Sequence, residues 1–438
     1  MNADERRLKR NILWATKVAY LCTTLLHSVR ALGLPKEWAA IAPALQSRNF
    51  RLFWLGQIAS TVGTSLQVVA EGWLIYNITQ STLWLGLAGL IGLLPVVPIS
   101  LLGGVLIDRV PRRKLIMLTQ AGLMTQAAVF ALLALSGNIR LWHIIVLYFV
   151  FGSLLAIDHP ARRAFLVDLV ERDKLANAVA LNATLFNVSS LAGFALSGVL
   201  IATVGAGGAM LVNAATYVFP IGALAAVRVA DIGQDSQRPP LGAALAEGFV
   251  TLWRQPVILG AIGLMAVVGG LAWPVYGMMP AFAQDVLQTN SIGLGLLMAA
   301  GALGSVAGTA VTARLGGRQR GRALAVVSLL LPALVAGVAL APSMLVACLF
   351  LVILGLVLLV LQSLAITLVQ IHVADRVRGR VMSLFSMLHA GSDTAGNVLI
   401  GGVALYLGLP LALSLGAAAA LLFALALWLV MPAIRRLD

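Results

Sequence analysis

The 438 residues are 60% hydrophobic and only 11% charged, with 30 Lys and Arg against 16 Asp and Glu and a formal net charge of +14. Soluble domains carry about 25% charged and about 45–50% apolar residues, so this composition, with a mean hydropathy of +0.97, excludes a soluble enzyme, a disordered chain and a coiled coil. Two cysteines, Cys22 and Cys348, stand far apart in apolar surroundings and support neither a disulfide framework nor a metal site.

The chain opens on a basic segment. Within residues 1–48, the apolar run Ile12–Leu34 is broken by Lys17, His27 and Arg30, which predicts an amphipathic helix at the cytoplasmic interface rather than a span or a signal peptide. Crossing the roughly 30 Å hydrocarbon layer takes about 20 mostly apolar residues. Runs of that kind lie at Phe53–Ile78, Leu83–Ile107, Leu115–Ser136, Leu141–Ile157, Ala178–Val204 and Ala209–Val227, then at Val257–Ala283, Ile292–Ala313, Ala323–Leu340, Met344–Gln370, Val381–Leu407 and Leu409–Met431. These runs predict an all-α membrane protein of twelve transmembrane helices. They form two six-helix bundles, 49–228 and 255–432, joined by a cytoplasmic linker at 229–254 and followed by a cytoplasmic tail at 433–438. The linker holds the longest polar interruption, with Gln234-Asp-Ser-Gln-Arg-Pro-Pro240 at its centre.

With both termini placed in the cytoplasm, 29 of the 30 Lys and Arg fall on the cytoplasmic side, and only Arg140 falls outside. This is a strong positive-inside signal. It accounts for the basic balance, so nucleic acid is not expected as a partner.

The halves resemble each other at a spacing of about 202–205 residues. Gly103-Gly-Val-Leu-Ile-Asp108-Arg-Val-Pro-Arg-Arg113 pairs with Gly308-Thr-Ala-Val-Thr-Ala313-Arg-Leu-Gly-Gly-Arg318, and the Gly-rich stretch Gly198–Gly205 pairs with Gly401–Gly408. A duplicated six-helix unit is the plan of many secondary transporters, with the ligand site between halves near the midplane.

Three stretches carry a family resemblance. Gly104-Val-Leu-Ile-Asp108-Arg109-Val-Pro-Arg112-Arg113-Lys114 resembles the loop signature of the major facilitator superfamily, with Pro111 in place of the usual second Gly. Gly72-Trp-Leu-Ile-Tyr-Asn-Ile-Thr-Gln-Ser81 and the segment from Asp158-His-Pro160 through Asp168 to Asn177 are similar to one branch of it. That branch holds enterobactin exporters, macrolide efflux proteins and transmembrane secretion effectors. The resemblance covers residues 46–432. It implies that Gly104, Asp108, Arg109, Arg112 and Arg113 form a conformational latch between the bundles, with Asp108 as its hinge. The matching position in the second half is Ala313, which leaves a single acidic copy of the latch.

Ionisable groups within spans carry the rest of the functional reading, because an unpaired charge at the bilayer centre is costly. Asp158 and Arg162 flank Pro160, which is expected to end the fourth span and present the pair as a cytoplasmic gate. Glu71 lies two-thirds along the first span and is expected to bind either a substrate cation or a proton, mattering more for cationic substrates. Asp393 lies mid-depth in the eleventh span with His389 one turn earlier on the same face, a pair suited to carrying a proton. Gln67, Trp73, Asn182, Asn187, Trp273, Tyr276 and Gln362 are candidates to line the cavity, and Pro274 and Pro280 should bend the seventh span.

The expected function is proton-coupled efflux of a small amphipathic molecule (a drug, siderophore or secondary metabolite) across the bacterial cytoplasmic membrane by a multi-pass antiporter. The alternatives are uptake or symport of a small solute, translocation of a lysolipid, and a transport-dead sensor or assembly subunit. The expected partners are the small-molecule substrate, protons and the lipid bilayer, with the chain acting as a monomer. No phosphate-cradling loop, nucleophile elbow or metal-spaced His set is present, so neither an enzyme nor a cofactor is expected.

Overall fold

The computed structural model describes residues 42–96, 98–99, 110–228, 249, 252–253, 255–314 and 320–433. The proposed interfacial helix before residue 42, latch residues Gly104, Asp108 and Arg109, most of the linker and most of the tail lie outside them. Every regular element among the described residues is helical. In chain order these are α1 Arg48–Thr79, α2 Thr82–Leu93, α3 Arg112–Leu135, α4 Leu141–Leu169, α5 Leu175–Thr216 and α6 Val218–Ala226. They continue with α7 Pro256–Leu264, α8 Ser291–Arg314, α9 Arg320–Ala339, α10 Met344–His372, α11 Asp375–Leu407 and α12 Leu409–Val430. Eight helical stretches among the described residues are long and apolar enough to cross a membrane. In α1 and α11, of 32 and 33 residues, the length suffices but more polar side chains are present.

Local sequence fixes where the helices begin, turn and break. Pro256 and Pro410 stand in the first turns of α7 and α12, where a missing N–H costs nothing. Gly205 breaks α5 with φ 76° and ψ 170°, and Gly408 precedes α12 with φ 78° and ψ 156°. Side chains avoid that left-handed region, so both turns require glycine. They sit 203 residues apart, at the spacing of the sequence repeat. Between α7 and α8 the helix is not continuous. π-helical turns at Met265–Gly269 and Phe282–Val286 flank the short helices Gly270–Ala272, Pro274–Gly277 and Met279–Ala281, as the prolines there lead one to expect.

One expectation fails. Pro160 does not end the fourth helix, because α4 runs on to Leu169 with Pro160 inside it. Proline inside a membrane helix is tolerated when neighbouring helices re-satisfy the freed backbone groups. Here Ala161 and Phe165 just beyond it are buried among Phe50, Phe53, Leu115 and Ile116. Tertiary packing holds the helix through its breaker.

The chain forms two compact units, one of residues 1–74 with 94–236 and one of residues 75–93 with 237–438. The first unit has a core of α1, α3, α4 and the end of α6, with Phe53 and Phe165 edge to face at 5.6 Å. In the second unit, Ile258, Ile262 and Met265 pack with Ala365 and Val369 of α10 and with Val381 and Phe385 of α11. Large apolar side chains also lie outward, including Leu118, Leu132, Leu345 and Leu429, each more than 60% exposed. A soluble monomer rarely shows so much apolar surface, whereas a bilayer covers it.

Candidate functional site

The first unit holds two buried polar clusters that share α1, α3 and α4, the second also drawing on α5. In the first, Asp158 is fully buried and its carboxylate meets Arg162 Nε at 2.5 Å, one helical turn away across Pro160. Thr119 Oγ1 and Gln120 Nε2 of α3 donate to Asp158 Oδ1 at 2.7 and 2.9 Å, and Arg162 donates to the Gln57 side chain of α1. Asp158 and Arg162, predicted as a pair from sequence, are therefore together, but within a web that ties α1, α3 and α4. A buried carboxylate needs this charge-assisted pairing to offset the loss of its water.

The second cluster surrounds Glu71. Gln67 Nε2 donates to Glu71 Oε1 at 2.7 Å and to Gln126 Oε1 at 3.2 Å, while Asn213 Nδ2 donates to Gln67 Oε1 at 2.5 Å. Tyr148 of α4 lies beside the carboxylate. Glu71 is fully buried and has no Lys, Arg or His ion-pair partner among the described residues. Gln57 and Gln67 are ten residues apart on α1, which sets the two clusters about 15 Å apart along that helix at ~1.5 Å per residue.

The latch residues that can be followed do local work. Arg112 Nη1 reaches both oxygens of Asp168 at 2.9 and 2.8 Å. Arg113 donates to the carbonyl oxygens of Leu224 and Ala225 at 2.7 and 3.0 Å, in the last turn of α6. The end of a helix leaves such carbonyls without partners, and a cation satisfies them.

The second unit gathers four residues named from sequence around one recess. His389 Nδ1 lies 3.2 Å from Asp393 Oδ2, and Gln362 Nε2 of α10 lies 2.7 Å from His389 Nε2. Trp273 joins them, and Met265, Gly269, Leu358 and Leu361 complete the walls. Trp273 is 41% exposed and lies 5.6 Å from the ring of Tyr276, whose own ring packs against Gly301. Of the remaining candidates, Trp73 is half-buried on α1, and Asn182 and Asn187 are half-buried on α5.

Sequence reasoning passed over Thr119, Gln120, Gln126 and Tyr148, and gave Asp168 no role beyond its place in the family-like stretch. The available signal was polar side chains within the otherwise apolar runs of α3 and α4. Their partners lie on other helices, so spacing alone could not pair them.

Comparison with known proteins then decides the family. The model of the transmembrane secretion effectors matches residues 38–438. The chain belongs to this family of major facilitator transporters. It is a multi-pass membrane protein and not an enzyme. It is 26% identical over 400 residues to the multidrug efflux pump Tap of Mycolicibacterium fortuitum, covering 88% of this chain and 96% of that protein. It is 28% identical over 363 residues to the enterobactin exporter EntS of Salmonella typhimurium, covering 81% and 85%. Among solved structures it resembles a bacterial homolog of the human lysosomal transporter Spinster in its inward-facing, unoccupied conformation, at a TM-score of 0.63 and 15% identity over 89% of this chain and 96% of that one. The nucleoside transporter NupG gives a TM-score of 0.67 at 12% identity, over 88% and 99%. At these identities the structural likeness establishes the fold alone.

Proposed function

We propose that this transporter exports small amphipathic molecules in exchange for protons by alternating access. It would act as a monomer of twelve transmembrane helices in two six-helix bundles, 49–228 and 255–432, with both termini in the cytoplasm. The observation that carries the export reading is the near full-length similarity to two exporters, one named for many drugs and one for a siderophore. The lipophilic class of substrate follows from composition. Few charged residues lie within the apolar helices, whereas a carrier of sugars or organic anions needs more polar or cationic groups at depth.

Coupling to protons rests on two carboxylates. Glu71 is sealed among Gln67, Gln126 and Tyr148 with no Lys, Arg or His ion-pair partner among the described residues. Such a group is stable when neutral and costly when charged, so changes in its hydration can load and unload a proton. The Asp393–His389 pair supplies a second ionisable centre. Asp158 with Arg162 would serve as a cytoplasmic gate, and the loop from Gly104 to Arg113 as the latch implied by the family pattern.

Purified protein in liposomes with an imposed pH gradient tests the reading. Export by proton exchange predicts gradient-dependent accumulation of ethidium against its own gradient. Accumulation that needs no gradient, or movement of fluorescent lysolipid in its place, rejects it.

A further inference from the structure

The recess in the second unit has a chemistry that proton exchange does not require. We propose that it is a subsite for the protonated amine of a flat, largely apolar cation, with Asp393 as the counter-charge and Trp273 as the wall. This deepens the export reading and depends on it only for the direction of movement.

Three observations carry the proposal. The first is charge. When the amide NH2 of Gln362 donates to His389 Nε2, the ring proton lies on Nδ1, where it faces Asp393. His389 Nδ1 and Asp393 Oδ2, 3.2 Å apart, do not meet in hydrogen-bond geometry, so an imidazole in this form leaves the carboxylate's charge unanswered. Among the described residues no Lys or Arg pairs with Asp393, and its Oδ1 has no hydrogen-bond partner. An N–H donor is the missing complement.

The second observation is shape. As it stands the recess is narrow, with room beside Asp393 for a group about the size of one water molecule, far short of a site that engulfs a drug-sized ligand. It admits a head group rather than a whole molecule. Met265 and Leu361 give it apolar walls, and the half-exposed Trp273 offers a face on which a cation or a flat ring can rest. An anionic head group would meet the carboxylate, and a sugar would find too few donors and acceptors.

The third observation is access. Glu71, the acid expected from sequence to meet cations, is fully buried and enclosed by its own hydrogen-bond partners. Asp393 has 15% of its side chain exposed and lines an open recess. Recognition of organic cations therefore falls to Asp393 rather than to Glu71.

The test uses the purified full-length protein titrated with dansylcadaverine and with N-acetyl-dansylcadaverine, which share a fluorophore and differ in the ammonium. The wild type should bind the amine about tenfold more tightly, as a desolvated charge-assisted contact allows. Asp393→Asn should close that gap, and Trp273→Ala should weaken both ligands. Equal binding of the two by the wild type overturns the proposal. So does a gap that survives Asp393→Asn and disappears with Glu71→Gln. Should Asp393→Asn fail to fold, Gln362→Glu adds a second carboxylate beside His389 and should widen the gap, and an unchanged gap overturns the proposal. Amine-selective binding without uphill transport would support the subsite and remove the export reading. Uphill transport of both ligands with equal affinity would do the reverse.

Discussion

Asp158 and Arg162 form a 2.5 Å ion pair across Pro160, with Asp158 fully buried. The pair is both a lock and a liability. Thr119 and Gln120 hold the carboxylate from α3, and Gln57 receives the guanidinium from α1, so three helices depend on one pair of charges.

Asp158→Asn should therefore destabilise the protein by about 3 kcal/mol, because Arg162 is left buried without a counter-charge. Thermal unfolding in detergent measures this. The double variant Asp158→Asn with Arg162→Gln should regain part of the loss. A double variant no more stable than the single would mean that the pair does not act as a unit.

The packing of α2 on α11 gives a second prediction. A Cβ added at Gly86 would lie 2.5 Å from the carbonyl oxygen of Asn397 and 2.9 Å from Val398 Cα, whereas one added at Gly89 meets nothing within 4 Å. Gly86→Ala should cost about 1–3 kcal/mol, since the obstacle is backbone and cannot rotate away. Gly89→Ala, on the same helix, should leave the melting temperature unchanged. Equal effects at the two positions would show that α2 and α11 are not in this contact.

The basic loop separates into two jobs that can be tested apart. Arg113→Gln should lower the melting temperature, because it removes the cation on the last carbonyls of α6. Asp108→Asn should leave folding and insertion intact, as topology rests on Lys and Arg, and should strongly lower dye transport. Wild-type transport by Asp108→Asn would reduce the loop to a topology signal.

Much of this molecule was legible before its structure. Composition established the membrane class, apolar runs coincide with the eight described helical stretches long enough to cross a membrane, and the Gly205 and Gly408 turns recur at the spacing found by comparing the halves. Asp158 with Arg162 and Asp393 with His389 were legible because each pair lies one turn apart on a single helix. The settings of those pairs were not. Thr119 and Gln120 reach Asp158 from α3, Gln362 reaches His389 from α10, and Gln126 and Tyr148 reach the Glu71 cluster from α3 and α4, and no periodicity encodes such contacts. Pro160 misled for a related reason: local preference favours a helix end there, and burial of Ala161 and Phe165 overrides it. Whether Glu71 or Asp393 meets a ligand depends on enclosure, which side-chain type alone does not convey.

The central claim is that uphill movement is driven by proton exchange through carboxylates within the helices. Its most direct test is ethidium accumulation in proteoliposomes under an imposed pH gradient, comparing the wild type with the double variant Glu71→Gln, Asp393→Asn. The wild type should concentrate the dye and lose it when a protonophore collapses the gradient. The double variant, reconstituted to the same density, should not concentrate ethidium at all. A double variant that still concentrates the dye at the wild-type rate would contradict the account.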